Sequence, residues 1–325
     1  LVNDDQRDNR FLDAVGRWGV AHGVRLPGLR RVISAGAPVA PAILERFQSL
    51  LGPEGAIHTP YGATEALPVA TISSREILGE TRDATARGAG TCVGRPVPSI
   101  DAAVIAISDE PVEGWREERR LGVGEIGEIV VSGPQVTREY FNAPRHDALA
   151  KIADGDLVRH RMGDVGYFDG QGRLWFCGRA SQRVRTAAGT LHTEPCEAIF
   201  NSHPEVRRSA LVGVGEPGSQ LPVLCVELER GVRPWQRRRV RAELLALGAS
   251  CEAARSITTV LFHPGFPVDI RHNAKIGRSA LAAWAATLGD HCSGPARPIQ
   301  HCNRFTASTD SPPPPIRAAK VCSCR

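Results

Sequence analysis

Between Leu29 and Ile57 the order of apolar and polar residues leaves few options other than one unit of an α/β layer. Leu29 to Ser34 reads as a strand that runs into Ala35-Gly-Ala-Pro38. Pro41 stands where a helix would start, and Ile43, Leu44, Phe47, Leu50 and Leu51 follow at helical spacing. Gly55-Ala-Ile57 reads as the end of a second buried strand. Strand, helix and strand in that order suggest a parallel sheet. Loops at the strand ends of such sheets are where ligands bind.

The second strand leads directly into His58-Thr-Pro-Tyr-Gly-Ala-Thr-Glu65. Pro60 and Gly62 are expected to turn the backbone here. Tyr61 offers a flat aromatic face, Thr64 a hydroxyl and Glu65 a carboxylate. Together they suit a base, a phosphate and a metal ion, because Mg²⁺ is commonly held by one or two carboxylates plus phosphate oxygens. Taken alone, the same eight residues fit an ordinary strand-to-loop turn equally well.

The rest of the chain divides by texture. Residues 9–22 predict a helix through Phe11, Leu12, Val15 and Trp18. From about residue 90, short β segments alternate with Gly and Pro at Ile100–Ile107, Glu125–Ser132, Val165–Phe168 and Arg173–Cys177, which predicts a small all-β subdomain. Residues 109–120 are charged and read as an exposed loop. After Gly178-Arg-Ala-Ser-Gln182 the pattern becomes a helix from near Glu194, strands at Arg208–Val214 and Val223–Leu228, and a helix over 235–247. A strand at Ile257–Phe262 and an Ala-rich helix over 278–287 complete an α+β unit of ordinary small-domain size. From Ser293 onward periodicity is lost around Pro312-Pro-Pro-Pro315, and the expectation is disorder. The chain opens at Leu1 inside the polar run Asn3–Arg10, so it is expected to be a fragment of something longer.

Composition narrows the function. A net charge of +5 over 325 residues is too mild for nucleic acid as the main partner. The basic run Arg237-Arg-Arg-Val-Arg241 reads as the solvated face of a helix whose apolar side is Val240, Leu244, Leu245 and Leu247. No apolar run is long enough to span a membrane. The nine Cys are scattered, without CxxC spacing, and fit a reducing cytoplasm better than a disulfide framework. Two GxGxxG strings, Gly122–Gly127 and Gly213–Gly218, each run into a strand rather than a helix, so neither reads as a dinucleotide fingerprint. Asp164, in a Gly-flanked turn, suits the two hydroxyls of a ribose, although Asp there is also a common turn former. Arg179 and Lys275 are equally ambiguous alone; as a compact cation, Lys275 suits charge neutralisation in a phosphoryl transition state.

In combination these pieces resemble the adenylate-forming superfamily of acyl-CoA synthetases, luciferases and peptide-synthetase adenylation domains. Ser34-Ala-Gly-Ala-Pro38 is similar to its adenine loop, Tyr61-Gly-Ala-Thr-Glu65 to its YGxTE motif, and Gly163-Asp164 to its ribose-binding GD. Gly178-Arg179 resembles the segment before its hinge, and Lys275-Ile-Gly-Arg278 the second half of its catalytic-lysine motif. Finer likeness, in His58–Pro68, Leu191–Glu197 and His263–Ile276, points to the β-lactone synthetase branch of bacterial long-chain olefin biosynthesis. Ser181 and Ala274 depart from the usual hinge residue and the usual Gly before the lysine. The family's Ser/Thr/Gly-rich phosphate loop does not occur in this chain.

The resemblance implies residues 1–177 as the C-terminal part of a large AMP-binding domain, 178–290 as a small α+β lid carrying Lys275, and 291–325 as a tail. It implies ATP and Mg²⁺, with adenine against Tyr61, Gly62 and the Gly36-Ala37-Pro38 backbone, and ribose on Asp164 with Arg179 in support. Thr64 would hold a phosphate oxygen, Glu65 the metal, and Lys275 the reacting centre. The implied reaction is activation of a long-chain 3-hydroxy acid as acyl-AMP and closure to a β-lactone. Other olefin-pathway enzymes are the implied protein partners. The alternatives are a long-chain fatty-acid–CoA ligase, which would add CoA, and an inactive truncated nucleotide-binding fragment.

Overall fold

The computed structural model describes residues 2–3, 10–36, 38–268 and 276–289. The first part of the chain forms one ten-stranded sheet. Its strands are β1 (Val2–Asn3), β2 (Arg31–Ser34), β3 (Ala56–Ala63), β4 (Ala66–Ser73), β5 (Thr91–Pro96), β6 (Asp101–Ile105), β7 (Gly127–Ser132), β8 (Lys151–Asp154), β9 (Leu157–Phe168) and β10 (Leu174–Arg179). They lie in the order β1-β2-β3-β4-β5-β10-β9-β7-β6, with β8 on β9. The expected α/β layer and all-β subdomain are thus continuous parts of one sheet.

Among the described residues of this sheet, only β1, β2 and β3 pair in parallel; its other strands pair antiparallel. The change of direction follows from connection length. A helix, α2 (Pro41–Gln48), separates β2 from β3, whereas two residues separate β3 from β4. Two residues suffice for a hairpin and are far too few for a crossover. Helix α1 (Arg10–Ala21) and α2 close one face, where Leu12, Leu44 and Phe47 pack with Val32 and Ile57. Trp18, expected among the apolar positions of α1, is 58% exposed and stacks on His22 instead.

The expected turn at Pro60 and Gly62 lies two residues later, at Thr64-Glu65. β3 continues through Pro60 because its pairing with β2 ends at His58, so the missing proline N–H is not needed on that side. Gly62 marks a register shift in the hairpin, and a Cβ there would come within 2.4 Å of the Ala66 carbonyl oxygen.

Beyond β10 a two-stranded hairpin, β11 (Val184–Thr186) and β12 (Gly189–Leu191), leads into a three-stranded sheet. That sheet consists of β13 (Val206–Val214), β14 (Leu221–Leu228) and β15 (Thr259–Phe262). Alternate side chains of β13 and β14 face opposite ways, as the strand period of two requires. Leu211 and Leu224 meet the helices Thr193–Asn201 and Arg237–Ala249 through Phe200, Val240 and Leu244. Ala210 and Cys225 meet the helix Arg278–Gly289 through Leu281 and Ala285. The region expected to be a disordered tail, 291–325, lies outside the described residues.

Candidate functional site

The Asp164 carboxylate is placed by sheet register. Asp164 on β9 and Arg179 on β10 are directly opposed partners, in a register set by an irregularity between Phe176 and Gly178. Opposed residues on one face lie within side-chain reach. Arg179 Nε accordingly stands 3.0 Å from Asp164 Oδ1 as an ion pair. Glycine is required at 178: its φ is +117°, and a Cβ would meet Thr193 Oγ1 at 2.3 Å.

Tyr61, on β3, donates its hydroxyl to Asp164 Oδ2 at 2.7 Å. Its ring lies 5.9 Å from that of Phe176 at 42°. Burial raises the Tyr61 hydroxyl well above the ordinary tyrosine range, and the Asp164 charge and hydrogen bond add to this. Burial also raises the Asp164 carboxyl, with Arg179 and the Tyr61 bond opposing it. Asp164 Oδ1 is buried with the Arg179 guanidinium as its ion-pair partner, but no donor is aligned on it as a hydrogen bond. A buried acceptor of this kind calls for a donor, and a ligand hydroxyl would supply one.

Glu65 stands at the tip of the β3–β4 hairpin in a second cluster. Its backbone carbonyl accepts from Thr137 N at 2.8 Å. Its Oε1 accepts from the Tyr140 hydroxyl at 2.8 Å. Lys151 donates to the Thr137 carbonyl at 2.5 Å and lies 5.2 Å from the centre of the Tyr140 ring. Partial burial opposes ionisation of Glu65, but the Tyr140 bond, its own backbone, His160 and Lys151 outweigh it and hold the carboxyl below its usual range. The donor set, one ionised carboxylate with one oxygen fixed, fits a hard divalent cation that keeps water and phosphate ligands. Thr64 is exposed beside it.

A cleft of about 640 Å³ is lined by Tyr140 of one cluster and Arg179 of the other, with Gly163 and Ser181. Its wall is fixed by Arg161, which is buried with Glu128 at 2.7 Å and also donates to the carbonyls of Ser108, Glu110 and Leu149. Gly36 and Pro38 are exposed on the loop after β2, and Gly36 adopts φ +98°. Ala37 and Lys275 lie outside the described residues. Sequence reasoning passed over Tyr140, Lys151 and Glu128–Arg161; the aromatic pair Tyr140-Phe141 in a polar stretch was the one available signal.

Arg278, the last residue of the lysine motif, pairs with Glu197 and also donates to Gln182 and the Leu211 carbonyl. Nearby, Glu194 accepts from Thr91 Oγ1 on β5 at 3.2 Å. Burial and the neighbouring Glu197 push its carboxyl up to about 7. His203, Glu205 and Glu243 approach one another closely enough to ligate a metal. Arg239, however, already bridges Glu205 and Glu243.

Residues 5–141 match the family model described as AMP-binding enzyme. An olefin β-lactone synthetase of Stenotrophomonas maltophilia (strain K279a) is 51% identical over 296 residues, covering 85% of this chain and 53% of that protein. A protein of the same name from Xanthomonas campestris pv. campestris is 53% identical over 293 residues, covering 84% and 52%. The chain belongs to the adenylate-forming superfamily. It spans about half the length of these curated relatives. A more distant relative, a phenylacetyl-CoA ligase of Aspergillus niger, is 29% identical over 190 residues, covering 58% of this chain and 32% of that protein. Among solved structures, an amide bond synthetase of Marinactinospora thermotolerans aligns with TM-score 0.66 and 24% identity, over 87% of this chain and 52% of its own. An O-succinylbenzoate coenzyme A synthetase of Bacillus subtilis, in complex with AMP, aligns with TM-score 0.62 and 20% identity, over 83% of this chain and 49% of its own. Both share the fold of this adenylate-forming chain.

Proposed function

We propose that this chain is the part of an ATP-dependent β-lactone synthetase that carries the nucleotide-binding residues. The observation that carries the reading is the identity of 51% and 53% to two olefin β-lactone synthetases, against 29% to the CoA ligase. In the first step a carboxylate oxygen of a long-chain 3-hydroxy acid attacks the α-phosphorus of ATP and pyrophosphate leaves. In the second, the substrate's own 3-hydroxyl oxygen attacks the acyl carbonyl. AMP leaves, and the hydroxyl proton passes to solvent. An internal nucleophile has a high effective concentration, which offsets part of the ring strain.

Tyr61 would pack on adenine, with the Gly36-Ala37-Pro38 backbone at its edge and Gly62 beneath. Asp164 Oδ1, ion-paired with Arg179 but accepting no aligned hydrogen bond, supports a ribose hydroxyl as its donor. Thr64 would donate to a phosphate oxygen, and Glu65 would hold Mg²⁺. The ion supplies charge neutralisation across the phosphates. Lys275 would stabilise charge at the reacting phosphate, carried by a lid spanning 178–290 that closes on the domain ending at 177 and excludes water. The buried free thiols Cys92, Cys177, Cys196 and Cys225 support a reducing, cytoplasmic setting. Among the described residues no helix is long and apolar enough to cross a membrane. Enzymes acting before and after it on the olefin pathway are the proposed partners.

The test supplies the full-length protein with ATP, Mg²⁺ and a long-chain 3-hydroxy acid, with and without CoA, and identifies products by mass spectrometry. The expected product is a dehydrated, CoA-independent lactone that disappears in Lys275→Ala. A thioester formed only with CoA would assign the protein to the ligases. No pyrophosphate release under either condition would leave a nucleotide-binding chain without this chemistry.

A further inference from the structure

The structure places a clamp around Glu65 that none of the sequence motifs contains. The segment from Thr137 to Lys151 wraps the hairpin tip. Thr137 N holds the Glu65 carbonyl at 2.8 Å, while the Tyr140 hydroxyl holds Oε1 at 2.8 Å. The segment is closed on itself. Asp147 Oδ1 accepts from Tyr140 N at 2.8 Å, and Lys151 Nζ bonds both the carbonyl and the hydroxyl of Thr137 while lying 5.2 Å from the Tyr140 ring centre. Asp147 belongs to the short helix Pro144–Ala150, and Lys151 begins β8, which is paired along its length with β9. The clamp is therefore anchored in the same strand that carries Asp164.

We propose that Tyr140 is a positioning residue for the metal-facing carboxylate. This inference rests on the reading of Glu65 as a Mg²⁺ ligand. By fixing Oε1, Tyr140 restricts Glu65 to one orientation and leaves Oε2 for the ion. A glutamate at a two-residue turn otherwise loses considerable side-chain freedom on binding. Carboxylates that bind metals are ordinarily oriented by hydrogen bonds from a surrounding shell, whose loss lowers metal affinity by about 10–100-fold. Lys151 contributes by fixing the Tyr140 ring and by keeping a positive charge near the carboxylate.

The test uses the full-length protein with Mn²⁺ as probe, ATP present and no acid substrate, so that binding is read without turnover. Mn²⁺ binding is followed by electron paramagnetic resonance, and ATP binding without metal by calorimetry. Tyr140→Phe keeps the ring and removes the bond. It is expected to weaken Mn²⁺ binding about 10-fold or more, with metal-free ATP affinity unchanged. Glu65→Gln is expected to weaken Mn²⁺ binding at least as much. Wild-type Mn²⁺ affinity in Tyr140→Phe beside a weakened Glu65→Gln would overturn the role of Tyr140 alone. Equal losses of ATP with and without metal would overturn it too, marking a general structural effect. Wild-type Mn²⁺ affinity in Glu65→Gln would instead remove the metal reading, and this inference with it. Asp147→Ala, which frees the Tyr140 backbone N–H and makes no bond to Glu65, carries the same expectation should Tyr140→Phe not fold.

Discussion

The Tyr61 hydroxyl and Asp164 Oδ2 are 2.7 Å apart although 103 positions separate them in the chain. The contact joins the proposed adenine platform on β3 to the proposed ribose acceptor on β9. Tyr61→Phe leaves the ring against Phe176 and removes one of the donors to a buried carboxylate. Stability is expected to fall by about 1–3 kcal/mol, read as a lower urea midpoint with an unchanged slope. An unchanged midpoint would show that the bond is not formed in solution.

Arg161 is 7% exposed and Glu128 3%, so this ion pair is nearly free of water. Removing one partner strands the other. Arg161→Ala is expected to destabilise by about 3–5 kcal/mol. The same change frees the carbonyls of Ser108 and Glu110, so amide hydrogen exchange should accelerate around 108–110. Slow exchange there in the variant would mean that the loop is held by other contacts.

Glu194 gives the stability a specific pH dependence. Its folded carboxyl is raised by burial to about 7, against an ordinary value of 4.5. Between those values the native state binds the extra proton, so the contribution is complete below pH 4.5 and is lost as pH rises through 7. Glu194→Gln should remove that segment of the curve. The measurement is the difference in unfolding free energy between wild type and variant from pH 4.5 to 8. A difference independent of pH would show that Glu194 is ionised throughout.

Gly178 adopts φ +117° with Thr193 Oγ1 where a Cβ would stand. Gly178→Ala combines backbone strain with that clash, and strain alone is worth about 1–3 kcal/mol. Thermal and urea unfolding should both shift downward. Wild-type behaviour would mean that the Phe176–Gly178 irregularity relaxes readily.

The sequence made Tyr61, Asp164 and Arg179 visible because each carries its chemistry within a short local pattern, and the fold brings these three together. The hairpin was harder to see. Pro60 and Gly62 signal a break locally, and only the end of β2 pairing at His58 explains why β3 continues through them. Pro68 similarly disguised β4. β9 starts at Leu157 and not at Val165, and its first half carries Arg159, His160 and Arg161, residue types seldom buried without partners. They are buried because partners arrive from other strands and turns: Asp101 and Asp154 reach Arg159, and Glu128 reaches Arg161. The role of Tyr140 was hidden for the same reason, since its partner lies 75 positions away.

The sheet order β4-β5-β10-β9 places two strands between the hairpin bearing Tyr61 and the strand bearing Asp164. No short stretch of chain can assemble that pair by itself, since 103 positions separate its members. Long-range pairings close slowly, because loop entropy is lost before the contacts form. During refolding, nucleotide capture should therefore lag behind the appearance of helical signal. A proteolytic nick between β5 and β9 that let the pieces separate would abolish capture while leaving the β3–β4 hairpin sequence intact.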